Sequence, residues 1–222
     1  MRRFFFIGLD LGKRRDYSAI VVAERRVMPG PWNPTLGGYP QVERLEMQWA
    51  ERMPRGTSYV EVSRRVAAIR QRLESMGGTV RLAVDATGVG VAVVEMLKAV
   101  GLGGIMTQVT VTGSGGLDRA VSGDGAGDFV SVNKTALFYG LRVGMEQERT
   151  GFSAHMPLLK ELKAELREIG VILGPKGTRV TGAKGERHDD LAFAAALVQF
   201  VARRVFPSDA ARAERRAQGR LV

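Results

Sequence analysis

The sequence predicts one α/β domain: a mixed sheet whose first three strands form an antiparallel meander, flanked by helices. Three observations lead there. A continuous apolar run, residues 4–9, has the character of a buried central strand, and two more strand patterns follow it across a short polar turn and a proline-rich loop. Beyond them, stretches with helical apolar spacing alternate with short apolar runs, as in a sheet covered by helices. The turn after the first strand has Gly8, Gly12 and a Lys-Arg-Arg run in place of G-x-G-x-x-G, and no Walker A sequence occurs, so a dinucleotide-binding sheet is the wrong reading.

In order along the chain, Phe4–Leu9 is a strand ended by Asp10. Gly12–Asp16 is a turn, and Tyr17–Glu24 is an antiparallel second strand. Residues 28–40, with Pro29, Pro31, Pro34 and Pro40, form a loop. Val42–Trp49 partly alternates and is expected at the sheet edge. Ser58 with Glu61 is a capping-box pattern, and Val62, Val66, Ile69 and Leu73 carry a helix to about Met76, which Gly77-Gly78 stops. Val80–Val84 is a short strand ended by Asp85. Thr87 is a candidate cap for a helix over 89–100, and Ile105–Val111 is a further strand. Residues 113–128, mostly Gly, Ser and acids, read as a loop or hairpin. Asn133 caps a helix from Lys134 to about Gln147. Pro157 suits the first turn of another, with Leu158, Leu162, Leu166 and Ile169 on one side. A small hairpin is expected over 171–181. His188-Asp189-Asp190 then opens an alanine-rich helix with Leu191, Ala194, Ala195, Val198, Val201 and Val205 as its stripe. Residues 1–207 are thus one domain, and 208–222 are an arginine-rich tail with almost no core residues.

Composition narrows the chemistry. The 222 residues suffice for one sizeable core, and 33 Lys and Arg against 23 acids leave a net +10 that attracts polyanions, nucleic acid first among them. The absence of cysteine excludes disulfides, thiolate zinc sites and cysteine nucleophiles, and two histidines are too few for a histidine-rich centre. Any bound metal must take oxygen ligands, which suits Mg²⁺ or Mn²⁺. The apolar start is broken by Asp10 and by Lys13-Arg14-Arg15-Asp16, unlike a signal peptide. No run reaches the ~20 residues that span a bilayer, so no membrane partner is expected.

The chemical argument rests on acids at element ends. Asp10 and Asp85 each finish a strand, and Asp189 and Asp190 start a helix. If the two strands are neighbours, their carboxylates leave the same end of the sheet, and a helix across that end brings the third acid close. Such a cluster repels itself unless a cation neutralises it, and two divalent ions there can hydrolyse a phosphodiester. Asp10 is expected to bridge both ions, with Asp85 and one of Asp189 and Asp190 completing a shell each. Any one of these acids alone is as well explained by a strand end or by the dipole of a first helical turn. His188 is a candidate for orienting water or the leaving group. Lys13, Arg14, Arg15, Lys134, Lys184 and Arg187, and the arginines from Arg203 onward, are candidate phosphate contacts.

Four segments also carry a resemblance. They are Ile7-Gly8-Leu9-Asp10 through Ala19-Ile20-Val21-Val22; Val84-Asp85-Ala86-Thr87-Gly88-Val89-Gly90; Lys160-Glu161-Leu162 through Glu165-Leu166; and His188-Asp189-Asp190-Leu191 with its alanine-rich helix. In this order they resemble the nuclease domain of the large terminase subunit of tailed bacteriophages, a ribonuclease H-like fold. The resemblance implies metal-dependent endonuclease cutting of double-stranded DNA during genome packaging. It puts the metal on Asp10, Asp85 and Asp189 or Asp190. The implied partners are DNA, a packaging ATPase domain, a small terminase subunit and a portal, in the cytoplasm of an infected or prophage-carrying bacterium. Large terminases place an ATPase domain before the nuclease, and this sequence has no Walker motif. The resemblance therefore leads us to expect either an excised domain or a free-standing terminase-like nuclease.

Three other functions would draw on some of the same residues. A Holliday-junction resolvase or transposase-like nuclease would use the same acids on a different substrate. A non-catalytic DNA-binding or packaging-assembly module would bind DNA independently of metal. An actin-like ATPase shares Gly8-Leu9-Asp10-Leu11-Gly12 but needs two such domains and a longer chain.

Overall fold

In the computed structural model, the described residues are 3–12, 16–35, 37–87, 90–112, 119–121, 128–174, 177–181 and 189–206. The strands are β1 (Arg3–Asp10), β2 (Ser18–Pro29), β3 (Gln41–Met53), β4 (Gly78–Asp85), β5 (Met106–Thr112), β6 (Arg119–Val121), β7 (Asp128–Asn133), β8 (Thr150–Phe152), β9 (Gly170–Gly174) and β10 (Gly177–Thr181). The helices are α1 (Tyr59–Ser75), α2 (Gly90–Ala99), α3 (Lys134–Glu146), α4 (Leu159–Glu168) and α5 (Asp190–Phe200), the last continued by a π-helical turn, Val201–Val205. One sheet has the order β6-β7-β5-β4-β1-β2-β3-β8, and β9 and β10 pair separately as the expected hairpin.

The meander is present: β1 pairs antiparallel with β2, and β2 with β3. On its other side β1 runs parallel to β4, which runs parallel to β5. β3 is not the edge, because the three-residue strand β8 pairs with Leu45–Met47. The segment read as a loop or hairpin contributes β6 and the start of β7, two strands that pair antiparallel. Its residues 113–118 and 122–127 lie outside the described set, as does the tail after Phe206.

Alternation along the strands sends successive side chains to opposite faces and creates two cores. Phe5, Ile7 and Leu9 of β1 face α1 and α2, meeting Val62, Val66, Val93 and Leu97. Phe6, with Ala19, Val21 and Ala83 from the neighbouring strands, faces α3, α4 and α5. α1 starts with the expected capping box: the Glu61 N–H donates to Ser58 Oγ, and the Ser58 N–H donates to the Glu61 carboxylate. α3 is capped by Asn133, whose side-chain oxygen accepts from the Thr135 N–H. α4 begins at Leu159, two residues later than Pro157 would place it, because Leu158 is left-handed at φ 56°. The residues between Thr87 and α2, 88 and 89, lie outside the described set. The Thr87 hydroxyl accepts from the Val111 N–H at 2.7 Å and ties the loop after β4 to β5.

α5 is the centre of the second core, and each of its residues is buried. Gly8 makes its position possible. A Cβ at residue 8 would stand 2.1 Å from the Ala194 carbonyl oxygen and 2.8 Å from Val198 Cγ2, so only glycine lets α5 lie this close to β1. The far end of α5 is fixed by ions. The Arg25 guanidinium donates to the Ala202 carbonyl at 2.6 Å and to that of Phe206. Glu43, 3% exposed, lies 3.3 Å from Arg25 and 3.0 Å from Arg203. Arg203, a candidate phosphate contact from sequence, is instead part of this buried cluster and also donates to the Arg149 carbonyl.

Candidate functional site

Register brings the predicted acids together. β1 and β4 are parallel neighbours with Leu9 beside Val84, so Asp10 and Asp85 follow at the same end of the sheet. Each lies two residues beyond one that faces α5, Gly8 and Ala83 respectively, so both carboxylates leave the sheet on the α5 side. With α5 seated on Gly8, its start, Asp190 with Asp189 at the N-cap, lies over that end.

Electrostatics record the gathering. Loss of water around Asp10 pushes its carboxyl well above the usual carboxylate range, and the negative charges of Asp85, Asp190 and Asp189 push it further, while Lys134 opposes them. Among the described residues, no three Asp, Glu or His side chains are already drawn closely enough together to enclose an ion. The acids instead have partners of their own. Asp85 Oδ1 accepts from the Thr87 N–H at 2.8 Å. Asp189 Oδ2 accepts from Lys134 Nζ at 2.9 Å. Asp190 Oδ2 lies 3.8 Å from Arg52 Nε. Lys134, a candidate phosphate contact, thus neutralises Asp189, and its ammonium also sits 5.7 Å from the Phe138 ring centroid and 5.5 Å from that of Phe193. The donor set is carboxylate oxygen from three separate elements. That set suits a hard divalent cation, once side-chain rotation frees the acids from these partners. Lys13, Arg14, Arg15, Lys184, Arg187 and His188 lie outside the described residues.

Two further residues, given no role from sequence, complete the surroundings. Glu165 of α4 is buried, and its Oε2 accepts from the Ala192 N–H at 2.8 Å, so a carboxylate from another helix caps the first turn of α5. Its other oxygen accepts from the Arg52 guanidinium. Burial raises the Glu165 carboxyl to about 7, with Asp190 and Asp189 adding to the rise and the Ala192 N–H and Arg52 opposing it. Arg52 belongs to the same row of the sheet as Asp10, through Ala19, which pairs with both. Its guanidinium lies 5.1 Å from the Tyr17 ring centroid, and that of Arg55 lies 4.7 Å from the same ring. The sequence signal for Glu165 was an acid three residues after Leu162 on the apolar side of its helix. For Arg52 it was a charge two residues after buried Ala50.

No family profile and no curated protein sequence matches the chain. Solved structures do. The large terminase nuclease from the thermophilic phage G20c, with bound magnesium, is similar over 89% of this chain and 80% of that one, at 23% identity and a TM-score of 0.56. The large terminase nuclease domain of Thermus phage P74-26 is similar over 90% and 80%, at 19% identity and 0.55. The human cytomegalovirus terminase nuclease domain is similar over 91% and 84%, at 9% identity and 0.56. The G20c nuclease also has a structure with bound cobalt, and the cytomegalovirus domain one soaked in manganese. The chain therefore has the fold of terminase large-subunit nuclease domains, the ribonuclease H-like architecture that its sequence predicted. Among the described residues, no helix is long and apolar enough to cross a membrane.

Proposed function

We propose that this chain is a divalent-metal-dependent endonuclease that cuts double-stranded DNA, as in viral genome packaging. The observation that carries the reading is the meeting of Asp10, Asp85, Asp189 and Asp190, from two adjacent strands and one helix, at one end of the sheet. Asp10, Asp85 and one of Asp189 and Asp190 would hold Mg²⁺ or Mn²⁺, two ions in the proposed reading. Bound there, such ions supply charge neutralisation and Lewis acidity for phosphodiester hydrolysis.

The chain's own residues do the rest. Gly8 seats α5 so that its two acids overhang Asp10. Lys134 balances Asp189 and restrains the repulsion among the carboxylates. The net +10 draws the DNA backbone to the molecule without selecting sequence. Lys13, Arg14, Arg15, Lys184 and Arg187 are proposed phosphate contacts, and His188 is proposed to orient water or the leaving oxygen. A packaging ATPase, a small terminase subunit and a portal are the proposed partners, in the cytoplasm of the infected cell. The likeness in fold to metal-bound terminase nucleases supports this reading over a junction resolvase.

Supercoiled plasmid is the test, incubated with Mn²⁺, Mg²⁺ or EDTA and either the wild-type chain or Asp85→Asn. Nicking and linearisation that need metal and vanish in the variant support the proposal. Equal DNA binding by both proteins, with no cleavage under any metal, refutes it in favour of a binding module or of a domain that cuts only together with an ATPase partner.

A further inference from the structure

The loop after β3 presents an arginine that the proposed reaction does not use. Residues 54–57 form a tight turn closed twice: the Thr57 N–H donates to the Pro54 carbonyl at 3.1 Å, and the Thr57 hydroxyl donates to the same oxygen at 2.6 Å. Gly56 has φ 80°, as the third position of a type II turn requires. Arg55 therefore stands exposed at the corner of a fixed turn, and its guanidinium lies 4.7 Å from the Tyr17 ring centroid. Packing on a half-buried ring gives this long cationic side chain one preferred direction. The same ring centroid is 5.1 Å from the Arg52 guanidinium, whose Nε lies 3.8 Å from Asp190 Oδ2. Through Tyr17 and Arg52, Arg55 is thus joined to the acid cluster and sits at its outer rim.

We infer that Arg55, oriented by Tyr17, binds a DNA backbone phosphate about three nucleotides from the bond held at the acids. The inference rests on the DNA-cutting reading. β3 lies two strands from β1, roughly 10 Å at the spacing of a sheet, and one strand of a duplex advances ~3.4 Å per nucleotide along its axis. A guanidinium carries five N–H donors in a planar fork that matches phosphate oxygens, so Arg55 can meet a phosphate while keeping its contacts within the chain. The other seat for an anion here is the cleft of about 220 Å³ between this turn and Gly12. Asp16 also lines that cleft, and its negative charge repels a phosphate. The contact therefore belongs to the guanidinium at the rim.

The anisotropy of a fluorescein-labelled DNA duplex in EDTA, where nothing is cut, reads both the affinity and its dependence on salt. Arg55→Gln should weaken binding on the order of 10-fold and lower the slope of log K against log salt by ~0.9, the value of one phosphate contact. Two duplexes of unrelated sequence should show the same loss. Arg72→Gln removes an equal charge from the last turn of α1, at the other end of the sheet, and should change affinity less than about twofold with the slope unchanged. Tyr17→Leu keeps the charge of Arg55 and removes the ring, so it should weaken binding about threefold, while Tyr17→Phe should bind like wild type. An unchanged slope in Arg55→Gln, a loss on one sequence alone, or an equal loss in Arg72→Gln overturns the inference and leaves DNA cutting standing. Tyr17→Phe binding as weakly as Tyr17→Leu overturns the orienting role of the ring. A wild-type chain that fails to bind the duplex even at low salt overturns the DNA reading, and the inference with it.

Discussion

Gly8→Ala tests the contact that assembles the site. The added methyl would begin 2.1 Å from the Ala194 carbonyl oxygen and 3.0 Å from its carbonyl carbon, both backbone atoms of a helix buried on all sides. Real Cβ contacts essentially never fall below 3.0 Å, so α5 must withdraw by at least 0.9 Å, the difference between that limit and 2.1 Å. Rotation of Val198 relieves the contact with Cγ2 but not the one with the backbone. Overpacking of this kind costs about 1–3 kcal/mol, and a ~1 Å displacement of groups that must act together can cost ~100-fold in rate. The expected result is a lower urea midpoint, together with plasmid nicking reduced far beyond what the unfolded fraction explains. Gly140→Ala in α3 is the control. Its Cβ meets nothing within 4 Å, so it should gain about 0.5–1 kcal/mol and leave nicking unchanged. A Gly8→Ala protein that melts and cuts like wild type would refute the placement of α5 on β1.

Two other outcomes follow from buried charge. Glu165 is raised to about 7 in the folded chain from an ordinary 4.5, so the folded state holds its proton more tightly than the unfolded state. Its contribution is therefore fully present below about 4.5 and is lost as pH rises through about 7. That is roughly 3 kcal/mol for a side chain only 8% exposed. In EDTA, thermal melts between about pH 5 and pH 8 should show wild type losing more stability than Glu165→Gln, and identical slopes would contradict this. At the other end of α5, Glu43→Ala strands the Arg25 and Arg203 guanidiniums in the core and should cost about 3–5 kcal/mol by chemical denaturation. A loss under about 1 kcal/mol would mean that water reaches these arginines.

The acids were legible because strand ends and helix starts leave local marks. An apolar run stopped by an aspartate, twice, together with His-Asp-Asp before an alanine-rich helix, is enough to place all four once the strands are assumed to be neighbours. β8 was invisible for the opposite reason. Three residues, Thr150–Phe152, have no periodicity, and only their pairing to Leu45–Met47 makes them a strand. β6 and β7 were obscured by the glycine-rich composition around them. Arg52 and Glu165 could not be assigned because their roles exist only in a contact between positions 113 apart in sequence. Lys134 and Arg203 were read as surface cations from charge alone, whereas tertiary structure gives each a carboxylate partner inside the chain.

The all-round burial of α5 also governs the order in which the protein can form. Eleven residues are too few to persist as an isolated helix, and this one lacks the polar face that would let it wait in water. It gains its stability only when β1, α3 and α4 are in place to receive it, through contacts between residues distant in sequence, which are the slow ones to establish. Asp189 and Asp190 arrive with it. A partly folded chain has Asp10 and Asp85 without their overhanging partners, so the proposed site is complete only in the finished fold.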